Sequence, residues 1–298
     1  MAHALIGEIM SKPARAQPST DPTVGLMYFS PTGSTKKICE VIAATITTKP
    51  PIRLDITKPN SPEKGNLDKV DLWVIGSPVY AARLPLLASE RLSLAFSSLP
   101  KRKTPAVAVS VYGGEILGIG LKQLVNLMVK NGFGVVGAGA FIGEHSLKKY
   151  RFAAAGQTVG RPDEEDLAVA KEFGASVRLK GLNGSDISSM ENIQSAKLPF
   201  KFKLANEKSS KRFRGPIEVD ANKCSKCKAC VEVCPVRCID NQTFLKIAVQ
   251  AENCIGCAAC LKVCPKAART QLMKLKWLPK LMGAMAPVKK RGTPVYYT

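Results

Sequence analysis

Val24-Gly25-Leu26-Met27-Tyr28-Phe29-Ser30-Pro31-Thr32-Gly33-Ser34-Thr35 is the stretch that decides the fold of the first half of this chain. A short apolar run, of the length of one buried strand, enters a Ser/Thr/Gly/Pro turn with no spacer. Behind the turn, Ile38, Cys39, Ile42 and Ile46 recur at helical spacing on one side of a segment that ends near Ile46. Strand, turn and helix in that order bring backbone N–H groups and the hydroxyls of Ser30, Thr32, Ser34 and Thr35 to the positive end of a helix dipole. Such a loop suits a phosphomonoester, which can be hydrogen-bonded there without a fixed cation. The Walker A order is absent. Gly132-Phe133-Gly134-Val135-Val136-Gly137 has dinucleotide-type spacing, but it follows a helix and opens a strand, which is the reverse of the required context.

Outward from this stretch, apolar runs near 24–29, 52–56, 70–76, 106–111 and 134–142 alternate with helical periodicity near 33–46, 84–97, 117–131 and 163–179. The last helix opens with Pro162 and then Asp163-Glu164-Glu165-Asp166, negative charge where a helix N-terminus favours it. The alternation predicts an α/β domain with a doubly wound five-stranded parallel sheet, whose ligand belongs at the carboxyl ends of the strands. Two more strand ends carry loops of note, Gly76-Ser77-Pro78-Val79-Tyr80-Ala81 and Ser110-Val111-Tyr112-Gly113-Gly114. Each offers a tyrosine for stacking on a planar ring, and Gly113 and Gly114 allow close backbone approach. Ser-x-Thr-Gly-x-Thr with these two loops resembles the flavodoxins. The resemblance implies FMN, with its phosphate at Ser30, Thr32, Gly33, Ser34 and Thr35. Its ring would lie between Ser77, Pro78, Val79, Tyr80 and Ser110, Tyr112, Gly113, Gly114. Relatives often carry Asn where Gly114 stands.

The second half has a different composition. Nine of the 10 cysteines fall between Cys224 and Cys264, in a repeat of period 30 in which Val219-Asp220-Ala221-Asn222-Lys223-Cys224 returns as Val249-Gln250-Ala251-Glu252-Asn253-Cys254. Both copies read Cys-x-x-Cys-x-x-Cys-x-x-x-Cys-Pro: Cys224, Cys227, Cys230 and Cys234, then Cys254, Cys257, Cys260 and Cys264. Zinc sites usually pair two Cys-x-x-Cys knuckles rather than a tight triplet with a distant Cys-Pro. The run is that of bacterial two-cluster ferredoxins. This resemblance implies two [4Fe–4S] clusters with the fourth ligands exchanged: Cys224, Cys227, Cys230 and Cys264 for one, Cys254, Cys257, Cys260 and Cys234 for the other. Cys39 and Cys238 stand outside the pattern, the first as a buried hydrophobe and the second as a bystander beside a cluster. His145, one of 2 histidines, follows the fifth strand on the ligand-bearing edge, but a lone histidine reads as structural.

The 298 residues carry 44 Lys+Arg against 23 Asp+Glu, a net charge of +21. Residues 197–298 hold 21 basic and 6 acidic residues, so +15 of that total lies in the cysteine-rich half. The apolar run at 133–143 is too short to span a membrane, and the first residues lack a basic, then apolar, signal pattern, so a cytoplasmic chain is expected. We divide the chain into an N-terminal extension (1–22), a flavodoxin-like FMN-binding domain (23–180), a linker (181–212), a small α+β two-cluster ferredoxin domain (213–270) and a basic tail (271–298). From about Val24 to Thr270 it resembles the flavodoxin–ferredoxin fusions of anaerobic bacteria and archaea. That resemblance implies electron transfer among two [4Fe–4S] clusters, FMN and external redox proteins. The other readings are an FMN-dependent reductase of a small substrate fed by the clusters, and a cofactor-bearing regulatory or assembly protein. The basic field suits an acidic redox partner, a ferredoxin, flavodoxin or oxidoreductase complex. Nucleic acid is disfavoured because no recognition motif accompanies the charge. The basic tail leaves peripheral membrane contact open, although Pro279 interrupts its amphipathic pattern. The oligomeric state and docking in cis or in trans are not set by the sequence.

Overall fold

The computed structural model describes residues 21–59, 66–100, 103–113, 117–146, 158–180, 190–194, 196–198, 203, 214–240, 253–273 and 293–298. Gly114, most of the linker, most of the basic tail and nearly all of the N-terminal extension lie outside these residues. Strands β1 (Val24–Tyr28), β2 (Ile52–Asp55), β3 (Leu72–Pro78), β4 (Pro105–Tyr112) and β5 (Gly134–Ile142) form a parallel sheet in the order β2-β1-β3-β4-β5. This is the flavodoxin-like doubly wound order, and its reversal point lies between β1 and β3. All nine residues of β5 are buried, as expected of a strand covered on both faces.

Helices α1 (Ser34–Ile46) and α4 (Glu164–Lys180) pack on one face with Leu26, Val74 and Phe141. On the other face, α2 (Leu86–Ser97) and α3 (Gly120–Lys130) pack with Met27, Phe29 and Trp73. Two helices start later than the sequence pattern suggests, for local reasons. Pro85 is extended, with ψ 138°, so α2 begins after it, and Gly118 at φ +61° precedes α3. A Cβ on Gly76 would overlap the Cys39 sulfur and Thr35 Cγ2. This glycine lets α1 lie close against β3 and fixes the start of the helix at the carboxyl edge of the sheet.

The expected five strands are joined by a sixth. Strand β8 (Val295–Tyr297) pairs antiparallel with β5, so the end of the chain returns to the first domain. Tyr296 stacks against Phe173 with centroids 5.2 Å apart, and Ser176 Oγ donates to Thr298 Oγ1 at 3.0 Å. Three residues are too few for a periodicity to show.

Between α5 (Met190–Gln194) and β8 lies the cysteine-rich module. Strands β6 (Arg214–Val219) and β7 (Arg269–Met273) pair antiparallel, and the short helices α6 (Ala229–Val233) and α7 (Ala259–Lys262) lie between them in sequence. The module is seated on the first domain of the same chain. Ile255 packs against the apolar layer of α2 and α3. Arg91 of α2 lies with its guanidinium carbon 5.9 Å from the centre of the Phe29 ring. Its Nη2 donates to the Pro235 carbonyl at 2.8 Å, and its Nη1 donates to the carbonyls of Ile56 (3.1 Å) and Thr57. Lys262 Nζ stands 3.9 Å from Glu144. Among the described residues no helix is long and apolar enough to cross a membrane.

Candidate cofactor sites

At the carboxyl edge of the parallel sheet, four strand ends border an open slot. Thr32, Ser34 and Thr35 line it from the first loop, Pro78, Val79, Tyr80 and Ala81 from the second, and Val111, Tyr112 and Gly113 from the third. Gly33 at φ +87° turns the first loop into α1. No acidic side chain stands in the first turn of that helix, so nothing there competes with an anion. Ser30 Oγ accepts from Lys36 N–H at 3.0 Å, and its own N–H donates to Thr57 Oγ1 at 2.8 Å. Of the four hydroxyls read as phosphate ligands, three line the slot, and that of Ser30 accepts from the first turn of α1.

Tyr80 and Tyr112 face the slot from separate loops. Ala81 (φ 49°) and Ala82 (φ 62°) form a left-handed turn closed by reciprocal Tyr80 and Arg83 backbone hydrogen bonds of 2.9 and 3.0 Å. That turn carries neither Gly nor Asn, so the sequence held no sign of it. Burial pushes the Tyr112 phenol above its ordinary range. A Cβ on Gly113 would lie 2.7 Å from His145 Cα, which explains glycine at this position. Ser77 and Ser110 are wholly buried, paired side by side in β3 and β4, and are not among the slot-lining residues. The strand period places them behind the wall.

The loop after β5 forms a fourth wall, of which the sequence singled out His145 alone and read it as structural. Gly143, Glu144, His145 and Ser146 line the slot, and His145 N–H donates to Thr158 Oγ1 at 3.2 Å. The carboxyl-edge rule pointed to this loop. A buried ion pair steadies it from behind. Arg161 donates from Nε to Asp166 at 2.7 Å and from Nη2 to the other oxygen, while the Arg161 carbonyl accepts from Glu144 N–H at 2.8 Å. The remaining lining residue, Gly256, comes from the cysteine-rich module, between Cys254 and Cys257. Nothing in the sequence linked it to the slot.

The module holds two further cavities. Cys224, Cys227, Cys230 and Cys264 line one, with Lys226, Lys228 and Arg269. Cys234, Cys254, Cys257 and Cys260 line the other, with Cys238, Ile239 and Ile255. Each set draws three thiols from one copy of the repeat and one from the other. In a tetrahedral zinc site with Zn–S near 2.3 Å, the sulfurs would lie about 3.8 Å apart. Among the described residues no three Cys, His, Asp or Glu side chains gather to hold one ion. The two mixed sets of four thiols agree in membership with the ligand sets that the two-cluster pattern implies. Backbone N–H groups already point at the sulfurs: Cys238 N–H lies 3.4 Å from Cys234 Sγ, Ala268 N–H 3.3 Å from Cys264 Sγ, and Gly256 N–H 3.4 Å from Cys254 Sγ. Burial pushes the Cys257 and Cys260 thiols up to about 12, so ligation there must release their protons. Cys238 is buried, with its sulfur 3.6 Å from that of Cys234. Cys39, fully buried among Ile38 and Ile42, has its thiol raised by burial and lines none of the three cavities.

Residues 223–268 match the family model of the 4Fe-4S dicluster domain. No curated protein matches the chain. Among solved structures, a flavodoxin from the domain Archaea is 17% identical at a TM-score of 0.38, covering 58% of this chain and 99% of its own. Oxidised Flavodoxin 1 from Bacillus cereus is 19% identical at 0.40, over 54% of this chain and 99% of its own. The rubredoxin oxygen:oxidoreductase of the anaerobe Desulfovibrio gigas is 14% identical at 0.38, over 59% of this chain and 38% of its own. Strand order and the matched module together describe an α/β domain of flavodoxin-like topology followed by a ferredoxin-type 4Fe-4S domain.

Proposed function

We propose that this chain is an electron-transfer iron–sulfur flavoprotein that exchanges electrons among two [4Fe–4S] clusters, FMN and external redox proteins. One observation carries the reading: Gly256, between Cys254 and Cys257, lines the slot shared by the first-loop hydroxyls and the two tyrosines. When bound, FMN exchanges one or two electrons and each cluster exchanges one, which makes the pair a converter.

The chain's own residues bind and orient. Thr32, Ser34, Thr35 and the α1 N-terminus suit a phosphate. Tyr80 and Tyr112 offer ring faces, and Gly113 keeps the third loop close to His145. Cys234, Cys254, Cys257 and Cys260 suit the cluster nearer the slot, and Cys224, Cys227, Cys230 and Cys264 the farther one. Arg91 and Ile255 hold the module against the slot, so transfer needs no encounter between separate molecules.

Anaerobic purification with counts of iron, acid-labile sulfide and acid-released flavin tests the reading. The expected content is about eight iron, eight sulfide and one FMN per chain. Two zinc ions without labile sulfide would remove the cluster half of the reading, and failure to bind FMN would remove the flavin half.

A further inference from the structure

We infer that the face around Cys227 is the docking surface for an acidic one-electron carrier protein, so that electrons cross between molecules at the Cys224 half of the module. This rests on the electron-transfer reading above and adds where the partner binds.

The repeat supplies its own control. Thirty residues apart, Lys223, Lys226 and Lys228 correspond to Asn253, Gly256 and Ala258. The backbones agree: Lys226 (φ 54°) and Lys228 (φ 63°) share the left-handed conformation of Gly256 (φ 66°) and Ala258 (φ 58°). Glycine is the unstrained choice in that region, and Gly256 shows that this loop accepts it. Lysine at 226 is therefore not selected by the backbone; what it adds is charge and reach.

The two copies face different surroundings. In the second copy, Gly256 lines the slot, Ile255 packs on the α/β domain and Ala258 is buried. In the first copy, Cys227 is exposed, and so are Lys223, Lys226 and Lys228, with Lys226 and Lys228 on the rim of the cavity. Lys266, exposed two residues after Cys264, extends the basic face, and Arg269 is buried in the cavity wall. Two acids oppose them, Asp220, which pairs with Lys223 at 3.2 Å, and exposed Glu232. Cations predominate at an opening whose thiolate-bound cargo is itself anionic. An acidic carrier meets attraction there. In the step itself the carrier is oxidised by one electron as the group held by Cys224, Cys227, Cys230 and Cys264 is reduced, and no atom or proton moves.

The test uses the holoprotein and a reduced, acidic two-cluster ferredoxin as probe. Zero-length carbodiimide cross-linking followed by peptide mapping should join carboxylates of the probe to Lys226 and Lys228. The double variant Lys226→Gln/Lys228→Gln should lose those cross-links and slow the second-order reduction roughly tenfold at low salt, converging with the parent at high salt. A charge-matched control, Lys171→Gln/Lys180→Gln on α4, should retain the parent rate. Equal rates for the parent and the Lys226/Lys228 variant, or cross-links mapping elsewhere, would overturn the docking surface. Chemical reduction with dithionite keeps the two claims apart: clusters that reduce but never pass electrons to the flavin would sink the electron-transfer reading, whatever surface the probe touches.

Discussion

In the α/β domain Trp73, Phe29, Phe141 and Phe173 are all at most 2% exposed, and each sheet face has its own apolar layer. Among the described residues between Arg214 and Met273 the larger buried apolar side chains are Ile217, Ile239 and Leu261, and thiols supply much of the remaining interior. The first region can fold on hydrophobic burial alone. The second shows few large buried apolar side chains among its described residues, so bound ligands would supply much of its folding free energy. The slot loops are thus carried on an apolar scaffold, whereas the cluster cavities would depend on their own ligands for support.

The largest effect should come from removing iron. Chelation under reducing conditions should abolish amide protection across 214–240 and 253–273 while leaving β1 to β5 protected, as read by hydrogen exchange. Protection lost equally in both regions would show that the α/β domain depends on the module. Within the module, Cys264→Ala should damage the cluster held by Cys224, Cys227 and Cys230. EPR showing loss of only the other cluster would reverse the ligand assignment.

Next in size is the ion pair behind the fourth wall. Asp166 is fully buried with Arg161, so Asp166→Asn leaves a buried cation without its counter-charge and should cost about 3–5 kcal/mol in urea unfolding of the α/β domain. A loss below about 1 kcal/mol would mean that solvent reaches the pair. Thr35→Ala should weaken FMN binding by roughly ten- to a hundred-fold, or about 1.5–3 kcal/mol, with little effect on riboflavin, which lacks the phosphate. Equal losses for both flavins would make this loop a helix cap only. The smallest effect belongs to Lys262→Gln. Its partner Glu144 lies 3.9 Å away and the lysine is 44% exposed, so stability should change by less than about 1 kcal/mol.

Legibility followed the same division. The strands and the first three loops were open to sequence reasoning because buried parallel strands read as apolar runs and loops at their carboxyl ends carry the ligand chemistry. Cysteine spacing carried the module. What stayed hidden depends on contacts between distant segments. The hydrogen bond from Lys36 N–H to Ser30 Oγ could not be read from the sequence, and Ser77 and Ser110 look like loop residues until the register buries them. Gly256 gains its meaning only when the module is seated on the slot, and β8 only when the chain end reaches β5.

The proposed exchange of electrons between clusters and flavin within one chain rests on the Cys254 loop forming part of the slot. Flash reduction of the clusters in the holoprotein, followed by flavin absorbance over a range of protein concentrations, tests it directly. The account predicts a first-order flavin signal whose rate is independent of protein concentration. A rate that rises in proportion to concentration, or clusters that reduce and reoxidise without any flavin signal, would contradict it.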